Sequence, residues 1–262
     1  MAEDASGRPA REIAIVGQGQ LGTLFGALLE ARGASVLRLR RGDVLDPHRA
    51  LDRVLVAVGE DDLDAVLASL SPAHRERVVL VQNELAPSSW RAHGIADPTV
   101  VVVWLEKKGD RPPRVVLPSP IAGPWAEELA RVMNDAGLPA EAIDRALLPA
   151  ALLDKNLYIL VSNLAGMVLP PGTTTAGLLE LGALETTMRV FADVLAVESA
   201  RIGIAADADL ASAALLRAFL ADPQHIATGR SAPKRLARTL ARAERLGIEV
   251  PVLREIERRA RG

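Results

Sequence analysis

Short apolar runs and helically spaced apolar positions alternate along the first half of the chain. Apolar runs bounded by polar residues or glycine predict β-strands. These runs lie at 12–16, 35–40, 53–58, 77–82, 99–105 and 114–117. Helical spacing of apolar residues predicts helices at 21–32, 63–70 and 125–136. Such alternation predicts an α/β domain with a mostly parallel sheet that helices cover on both faces.

The pattern changes after about residue 140, where no further run predicts a strand. Helical spacing predicts helices at 146–168, 175–202, 210–220, 233–246 and 252–261. We therefore expect an N-terminal Rossmann-type, doubly wound sheet followed by an all-helical C-terminal domain. The expected division is a disordered leader at 1–10, a nucleotide-binding domain at 11–145 and a helical substrate or dimerisation domain at 146–262.

A glycine-rich turn stands between the first predicted strand and the first predicted helix. It comprises Gly17, Gln18, Gly19, Gln20, Leu21 and Gly22. In this setting GxGxxG indicates dinucleotide binding: the first glycine permits the turn, the second lets the backbone approach a pyrophosphate, and the third lets helix and strand pack closely. The N–H groups that begin the helix would face the phosphate. The alternative is an ordinary glycine turn.

Basic residues at the end of the second predicted strand bear on which dinucleotide binds. Arg40 and Arg41 lie about eighteen residues beyond Gly22, where an acid favours NAD and an arginine favours NADP. A guanidinium pairs with a phosphate through two parallel hydrogen bonds. We therefore expect NADP as the cofactor. A solvated basic strand end, or Asp43 contacting a ribose hydroxyl, is the alternative.

Composition and charge exclude several other classes. The net charge of −2 argues against binding nucleic acid by neutralising phosphates, and no apolar run reaches the roughly 18 residues of a membrane span. The first eleven residues lack the apolar core of a signal peptide, and cysteine is absent, so we expect a cytoplasmic protein. We interpret the histidines as surface or loop residues and expect no metal site, because their spacing fits none. They are His48, His74, His93 and His225.

Five motifs in order resemble the ketopantoate reductase (2-dehydropantoate 2-reductase) family over nearly the whole chain. They lie at 13–22, 82–85, 155–163, 224–230 and 247–251. The family has an N-terminal Rossmann domain, a helical C-terminal domain and an active site in the cleft between them. The resemblance therefore implies an NADP-dependent oxidoreductase whose partner is a small-molecule carbonyl substrate.

The same resemblance assigns candidate catalytic residues. It implies that Lys155 is the proton donor, that Asn163 is an amide that orients the substrate, and that Asn83 serves both the cofactor and the catalytic site. From the residues alone, a lysine in so apolar a helix usually extends to water, whereas burial would lower its pKa and let it donate a proton near neutral pH. Asn83 alone could equally cap a helix or turn.

Several positions depart from the family pattern. They are Glu84, Ile159, Ala221, Pro233 and the loop 59–62. These departures concentrate on groups that hold a hydroxy-acid substrate, so we expect a divergent member that reduces a carbonyl compound other than ketopantoate. The alternatives are a non-catalytic NADP(H)-binding sensor or scaffold, and an imine reductase of the same fold. Apolar helices in the second half, including 178–197, make a homodimer possible.

Overall fold

The computed structural model describes residues 11–107 and 109–261, and the expected leader at 1–10 lies outside them. The chain divides into two compact units, Met1–Leu148 and Pro149–Gly262. The expected boundary at 145/146 lies three residues before this division. The α/β class with a helical second half is confirmed.

The first unit contains the strands of the described chain. They are β1 (Glu12–Val16), β2 (Ser35–Leu39), β3 (Arg53–Val56), β4 (Val78–Leu80), β5 (Thr99–Val101), β6 (Leu105–Glu106), β7 (Arg114–Val115), β8 (Ser119–Ala122) and β9 (Ala140–Ala142). Seven of them form one sheet in the order β2-β1-β3-β4-β5-β8-β9, and β6 pairs with β7 separately. All neighbours in the large sheet are parallel except β5 and β8. The order reverses between β1 and β3, which is where ligands bind in open α/β sheets.

The sequence pattern did not predict the two strands β8 and β9. The expectation of no strand beyond about residue 140 is wrong, because β9 lies at Ala140–Ala142. β8 contains Pro120, which argues against a strand in sequence reasoning because proline lacks an N–H to donate. β9 is three residues long and continues the sheet by pairing with β8. Neither segment is long enough to show a period-two pattern, so tertiary pairing alone defines both.

Ten helices connect and follow these strands in the described chain. They are α1 (Gln20–Glu30), α2 (Leu63–Ser69), α3 (Pro72–Arg75), α4 (Pro87–Arg91), α5 (Ala126–Asp135), α6 (Leu148–Gly166), α7 (Leu181–Ile202), α8 (Ala208–Ala221), α9 (Ala232–Leu246) and α10 (Pro251–Arg261). Short 3₁₀ turns at Arg145–Leu147 and Gly177–Leu179 precede α6 and α7. The turn before α7 shortens the helix that was expected to begin at 175.

The core of the first unit lies between the large sheet and the helices α1 and α5. Its members are buried aliphatic side chains of β1, β3, β4 and β5 together with Phe25, Leu29, Leu129 and Met133. Each such side chain contributes about 1.5–3 kcal/mol by leaving water. This packing fixes the start of α1 against the end of β1, and so fixes the glycine turn between them.

In the second unit, α6 is buried on every side over much of its length. Every residue from 155 to 166 is buried, which explains why its apolar positions show no single stripe. Charged and amide side chains within this stretch therefore need partners inside the unit.

One histidine departs from its interpretation as a surface or loop residue. His74 lies at the end of the short helix α3 and is only 2% exposed. Its Nε2 lies 3.0 Å from the backbone oxygen of Arg49. The ring therefore joins α3 to the loop that precedes β3, a role that needs a polar side chain with an apolar body.

Candidate active site

Glycine stands at each of the three motif positions for a different structural reason. Gly17 has a φ of +99°, and a Cβ there would lie 2.6 Å from the backbone oxygen of Ala57. A Cβ at Gly22 would overlap the backbone oxygen of Gly17, so this glycine lets α1 approach β1. At Gly19 a Cβ would meet nothing within 4 Å. The open side of the turn is therefore at Gly19, where the backbone faces free space.

A cavity of about 460 Å³ opens beside this turn at the carboxyl ends of β1, β2 and β3. It brings Gly17, Gln18 and Gly19 together with Arg40 and Arg41. Gln20, Leu21 and Gly22 do not line it: Gln20 is exposed, and Leu21 packs against the core. The predicted cofactor residues thus divide into a lining group and a group that shapes the turn.

The two arginines at the end of β2 are exposed to solvent at the rim of the cavity. The side chain of Arg41 is 84% exposed and its guanidinium donates to the carboxylate of Asp62. The backbone N–H of Arg40 donates to Oδ2 of Asp43 at 2.7 Å, so this acid folds back onto its own loop. Exposed ion pairs contribute about 0–1 kcal/mol, so Arg41 can exchange Asp62 for another anion at little cost.

Sequence reasoning singled out the loop 59–62 but missed most of the remaining wall of the cavity. That wall includes Leu45, Ala57, Val58, Gly59, Asp62, Ala65, Val66, Ser69 and Leu70. Leu45 belongs to the loop between β2 and β3. The others follow β3 or belong to α2, and they reach the cavity because β3 lies beside β1 in the sheet. The one signal in the sequence was the apolar strand at 53–58, whose end must meet the glycine turn in a parallel sheet.

Asn83 lies on the loop after β4 and is half-buried, and it does not line this cavity. The preceding Gln82 is buried and donates from Nε2 to the backbone oxygen of Val56 at 2.6 Å, which ties the loop to the end of β3. Glu84 has a φ of +54° and is 3% exposed. The loop therefore keeps a left-handed turn in which glycine is the favoured residue.

Lys155 is 9% exposed on α6 and does not reach into bulk water. Its Nζ lies 5.3 Å from the ring centroid of Tyr158, one turn later on the same helix. Tyr158 in turn contacts Phe219 and His225, at 5.9 Å and 6.3 Å between ring centroids. The ammonium group thus lies over an aromatic face, which favours its positive charge.

Asn163 is 5% exposed, and its amide is engaged within the second unit. Its Nδ2 donates to the backbone oxygen of Ile159 at 2.9 Å. Its Oδ1 accepts from Nη1 of Arg235 at 2.9 Å and from the backbone N–H of Gly229 at 3.4 Å. The side chain therefore joins α6 to the 224–230 segment and to α9.

Known proteins resemble this chain in structure rather than in sequence. No protein-family model matches the sequence, and no curated protein matches it. Solved structures do match. A dimeric ketopantoate reductase from Staphylococcus aureus superposes with a TM-score of 0.65 at 17% identity, over 94% of this chain and 96% of that one. A PanE/ApbA family ketopantoate reductase from Ralstonia eutropha JMP134 gives 0.67 at 22% identity, over 95% and 97%.

The chain has the fold of the ketopantoate reductases. The resemblance seen in the motifs is therefore confirmed at the level of the fold. The fold is not confined to one activity, because D-mandelate dehydrogenase, solved with NADH and anilino(oxo)acetate, superposes with a TM-score of 0.68 at 14% identity over 94% of this chain and 95% of that one.

Positions that depart from the ketopantoate reductase pattern have ordinary structural roles here. Ile159 is buried in α6. Ala221 is the last residue of α8, and Pro233 lies in the first turn of α9, where proline is favoured. None of these side chains offers a hydrogen bond to a substrate.

Within residues 11–107 and 109–261, no group of three or more histidine and acidic side chains comes together in a way that could hold a metal ion. Nor does any helix within those ranges have the length and apolar character needed to cross a membrane.

Proposed function

We propose that this protein is an NADP-dependent oxidoreductase that reduces a carbonyl compound other than ketopantoate, with Lys155 as the proton donor. One observation supports it above the others: the glycine turn and the arginines Arg40 and Arg41 line a single cavity at the switch point of the sheet. We propose that Met1–Leu148 is the NADP-binding domain and that Pro149–Gly262 carries the substrate-binding and dimerisation functions.

The residues around the cavity fit a dinucleotide phosphate. The open side of Gly19 leaves room for a pyrophosphate against the backbone, and α1 begins there with N–H groups that have no partner within the helix. Arg40 and Arg41 would hold a 2′-phosphate. Bound NADPH would supply the hydride.

Lys155 is suited to supply the proton that a reduced carbonyl oxygen needs. Its ammonium group carries a proton that can pass to an oxygen atom within hydrogen-bond reach. The fixed positive charge would also stabilise negative charge that develops on the substrate oxygen. We propose Asn163 as an orienting residue that acts through Gly229 and Arg235, the groups that its amide contacts, and Asn83 as a further contact to cofactor and substrate.

We propose a substrate other than ketopantoate because this protein lacks polar side chains that would hold a hydroxy acid. A site built for a hydroxy acid discriminates by leaving its own polar groups unpaired when the wrong ligand binds. Ile159, Ala221 and Pro233 stand where such groups are expected. We therefore propose a less polar carbonyl compound as the substrate.

The decisive experiment measures NADPH oxidation against a panel of 2-oxo acids, simple ketones and imines. We expect turnover with a ketone or a 2-oxo acid other than ketopantoate, and a fall of at least about a hundredfold in kcat for Lys155→Ala, the usual range for loss of a general acid. The matched control is Lys234→Ala, which removes an exposed lysine of α9. Robust turnover of ketopantoate would overturn the substrate proposal.

The choice of NADP over NAD has its own test. We expect Arg41→Ala to weaken NADPH binding much more than NADH binding, because only NADPH carries the 2′-phosphate. Asp62→Asn should tighten NADPH binding, because Asp62 competes with the phosphate for Arg41. Equal losses for both cofactors in Arg41→Ala, measured by fluorescence titration, would contradict the assignment.

A second candidate is a non-catalytic NADP(H)-binding sensor or scaffold. The observation that favours it is the engagement of the Asn163 amide by protein groups. This candidate predicts cofactor binding with no turnover on any member of the panel. An imine reductase predicts turnover of the imines alone.

We also propose that the protein forms a homodimer. The support is the likeness in fold to a ketopantoate reductase that is dimeric. Sedimentation velocity over a range of concentrations tests it.

A further inference from the structure

Helix α8 is apolar on both of its faces. Its buried face consists of Ala211, Leu215, Ala218 and Phe219. The opposite face carries Leu210, Leu216 and Leu220, which are 71%, 44% and 59% exposed. A helix that is apolar all round is normally covered on both sides. We therefore expect another protein surface to cover the exposed side of α8.

The exposed residues form one continuous stripe along the helix. Leu210, Ala213, Leu216 and Leu220 follow one another at intervals of three and four residues, the spacing that places side chains on one face. Ala213 lies near the middle of the stripe. A small residue there lets another helix approach closely, with the larger leucines on either side of the crossing point.

From this stripe we infer that α8 is the contact surface for a second copy of this chain, with the two α8 helices antiparallel and crossing at Ala213. The inference deepens the homodimer proposed above by naming its surface. It does not depend on the proposed enzymatic activity.

The charges of α8 favour the antiparallel arrangement. Its charged residues are Asp209 in the first turn and Arg217 in the second half, and both are exposed. In an antiparallel pair centred on Ala213, Arg217 of one copy lies at the level of Asp209 of the other. In a parallel pair, Asp209 would instead lie beside Asp209 of the other copy and Arg217 beside Arg217 of the other copy, and such pairs of like charges are destabilising. Arg217 is only loosely held within its own chain, at 4.0 Å from Asp154.

The expected dimer is weak. A helix of 14 residues is about 21 Å long, and a single helix pair buries less than the roughly 800 Å² per partner of a standard interface. We therefore expect a dissociation constant on the order of 1–100 µM. Sedimentation velocity across that range measures it.

Replacing an exposed leucine of the stripe by a charged residue tests the inferred surface. Leu216→Glu buries a carboxylate in the inferred interface, and we expect the dissociation constant to rise by at least about tenfold. The matched control is Leu246→Glu, which places the same charge on a leucine of α9 that is 43% exposed and should leave the dimer unchanged. Circular dichroism and melting temperature verify that both variants are folded.

Charge reversal tests the antiparallel arrangement. Asp209→Arg and Arg217→Asp should each weaken the homodimer, because each places like charges at the same level. Mixing the two variants should restore association, since the heterodimer has an opposite pair at both ends. A wild-type dimer that is insensitive to Leu216→Glu would overturn the α8 surface but keep the homodimer, and a wild-type monomer throughout the range would overturn both. Single variants that dissociate and fail to associate on mixing would overturn the antiparallel arrangement.

Discussion

Glu198 is the most completely buried acid in the described chain, with an exposure of 0% in the middle of the helical unit. It lies on α7 and accepts hydrogen bonds from Asn156 of α6 at 2.8 Å and from Arg242 of α9 at 3.4 Å. Arg201, one turn later on α7, donates to it at 2.5 Å. One carboxylate thus joins three helices, and it holds the residue next to Lys155.

We expect Glu198→Gln to lower the free energy of unfolding by about 3 kcal/mol, because removing one member of a buried ion pair leaves the other charges uncompensated. Urea denaturation measures the change. Glu185→Gln, on an exposed position of the same helix, is the control and should alter stability by less than about 0.5 kcal/mol. Equal effects of the two substitutions would contradict the structural role of Glu198.

Asp154 lies one residue before Lys155, in an environment that disfavours its charged form. Burial raises the pKa of its carboxyl to about 6, and the Arg217 guanidinium opposes this only weakly at 4.0 Å. A raised pKa in the folded state favours the protonated form. The contribution of Asp154 to stability is therefore present below about pH 4 and is lost as the pH rises through about 6.

We expect Asp154→Asn to be more stable than the wild type at pH 8 and nearly equal to it at pH 4, because the amide has no charge to bury. The carboxylate is 34% exposed, so solvent screening limits the gain to about 1 kcal/mol at pH 8. Thermal denaturation at the two pH values measures it. A gain that is independent of pH would show that the effect does not come from titration of Asp154.

At the scale of elements, the turn from β1 to α1 separates stability from cofactor binding. Gly22 is required by the packing of α1 on the turn, whereas Gly19 faces open space. The sequence motif makes the two glycines look equivalent. The structure distinguishes them by what a side chain would meet.

We expect Gly22→Ala to lower the free energy of unfolding by about 1–3 kcal/mol, because its methyl group overlaps the backbone oxygen of Gly17. Gly19→Val should leave stability nearly unchanged and weaken NADPH binding at least about tenfold, because its side chain fills the space proposed for the pyrophosphate. Melting temperature and fluorescence titration separate the two effects. Loss of stability in Gly19→Val would contradict the assignment of roles.

The loop after β4 shows how an element can persist when its signature residue changes. Glu84 departs from the ketopantoate reductase pattern and adopts the left-handed conformation, with a φ of +54°. Burial of Glu84 and the hydrogen bond from Gln82 to Val56 hold the loop in place. Local propensity would not predict this turn, because tertiary contacts override it.

At the scale of the whole molecule, the proposed function divides cofactor binding and proton donation between the two units. The cavity belongs to Met1–Leu148 and Lys155 to Pro149–Gly262. Substitution of Lys155 should therefore leave the cofactor cavity unaltered.

We expect NADPH at about a hundredfold excess over its dissociation constant to stabilise the folded protein by about 2.7 kcal/mol, since it binds only the native state. The rise in melting temperature should be equal in the wild type and in Lys155→Ala, and clearly smaller in Gly19→Val, where a tenfold weaker affinity leaves a stabilisation of about 1.4 kcal/mol. Differential scanning fluorimetry measures it. Loss of the shift in Lys155→Ala would mean that Lys155 is needed for cofactor binding rather than for proton donation alone.

The sequence by itself determined the fold class, the helical second half and the glycine turn, because these follow from local periodicity and from glycine chemistry near one strand. It also singled out Lys155 and Asn163 through their motif. Only the tertiary structure decided the rest of the cavity wall, the strands β8 and β9, the burial of Lys155 over Tyr158 and the engagement of Asn163 by Arg235. The reason is physical: strand pairing, burial and long-range hydrogen bonds depend on which distant segments pack together, and neighbours in space leave no periodic signal along the chain.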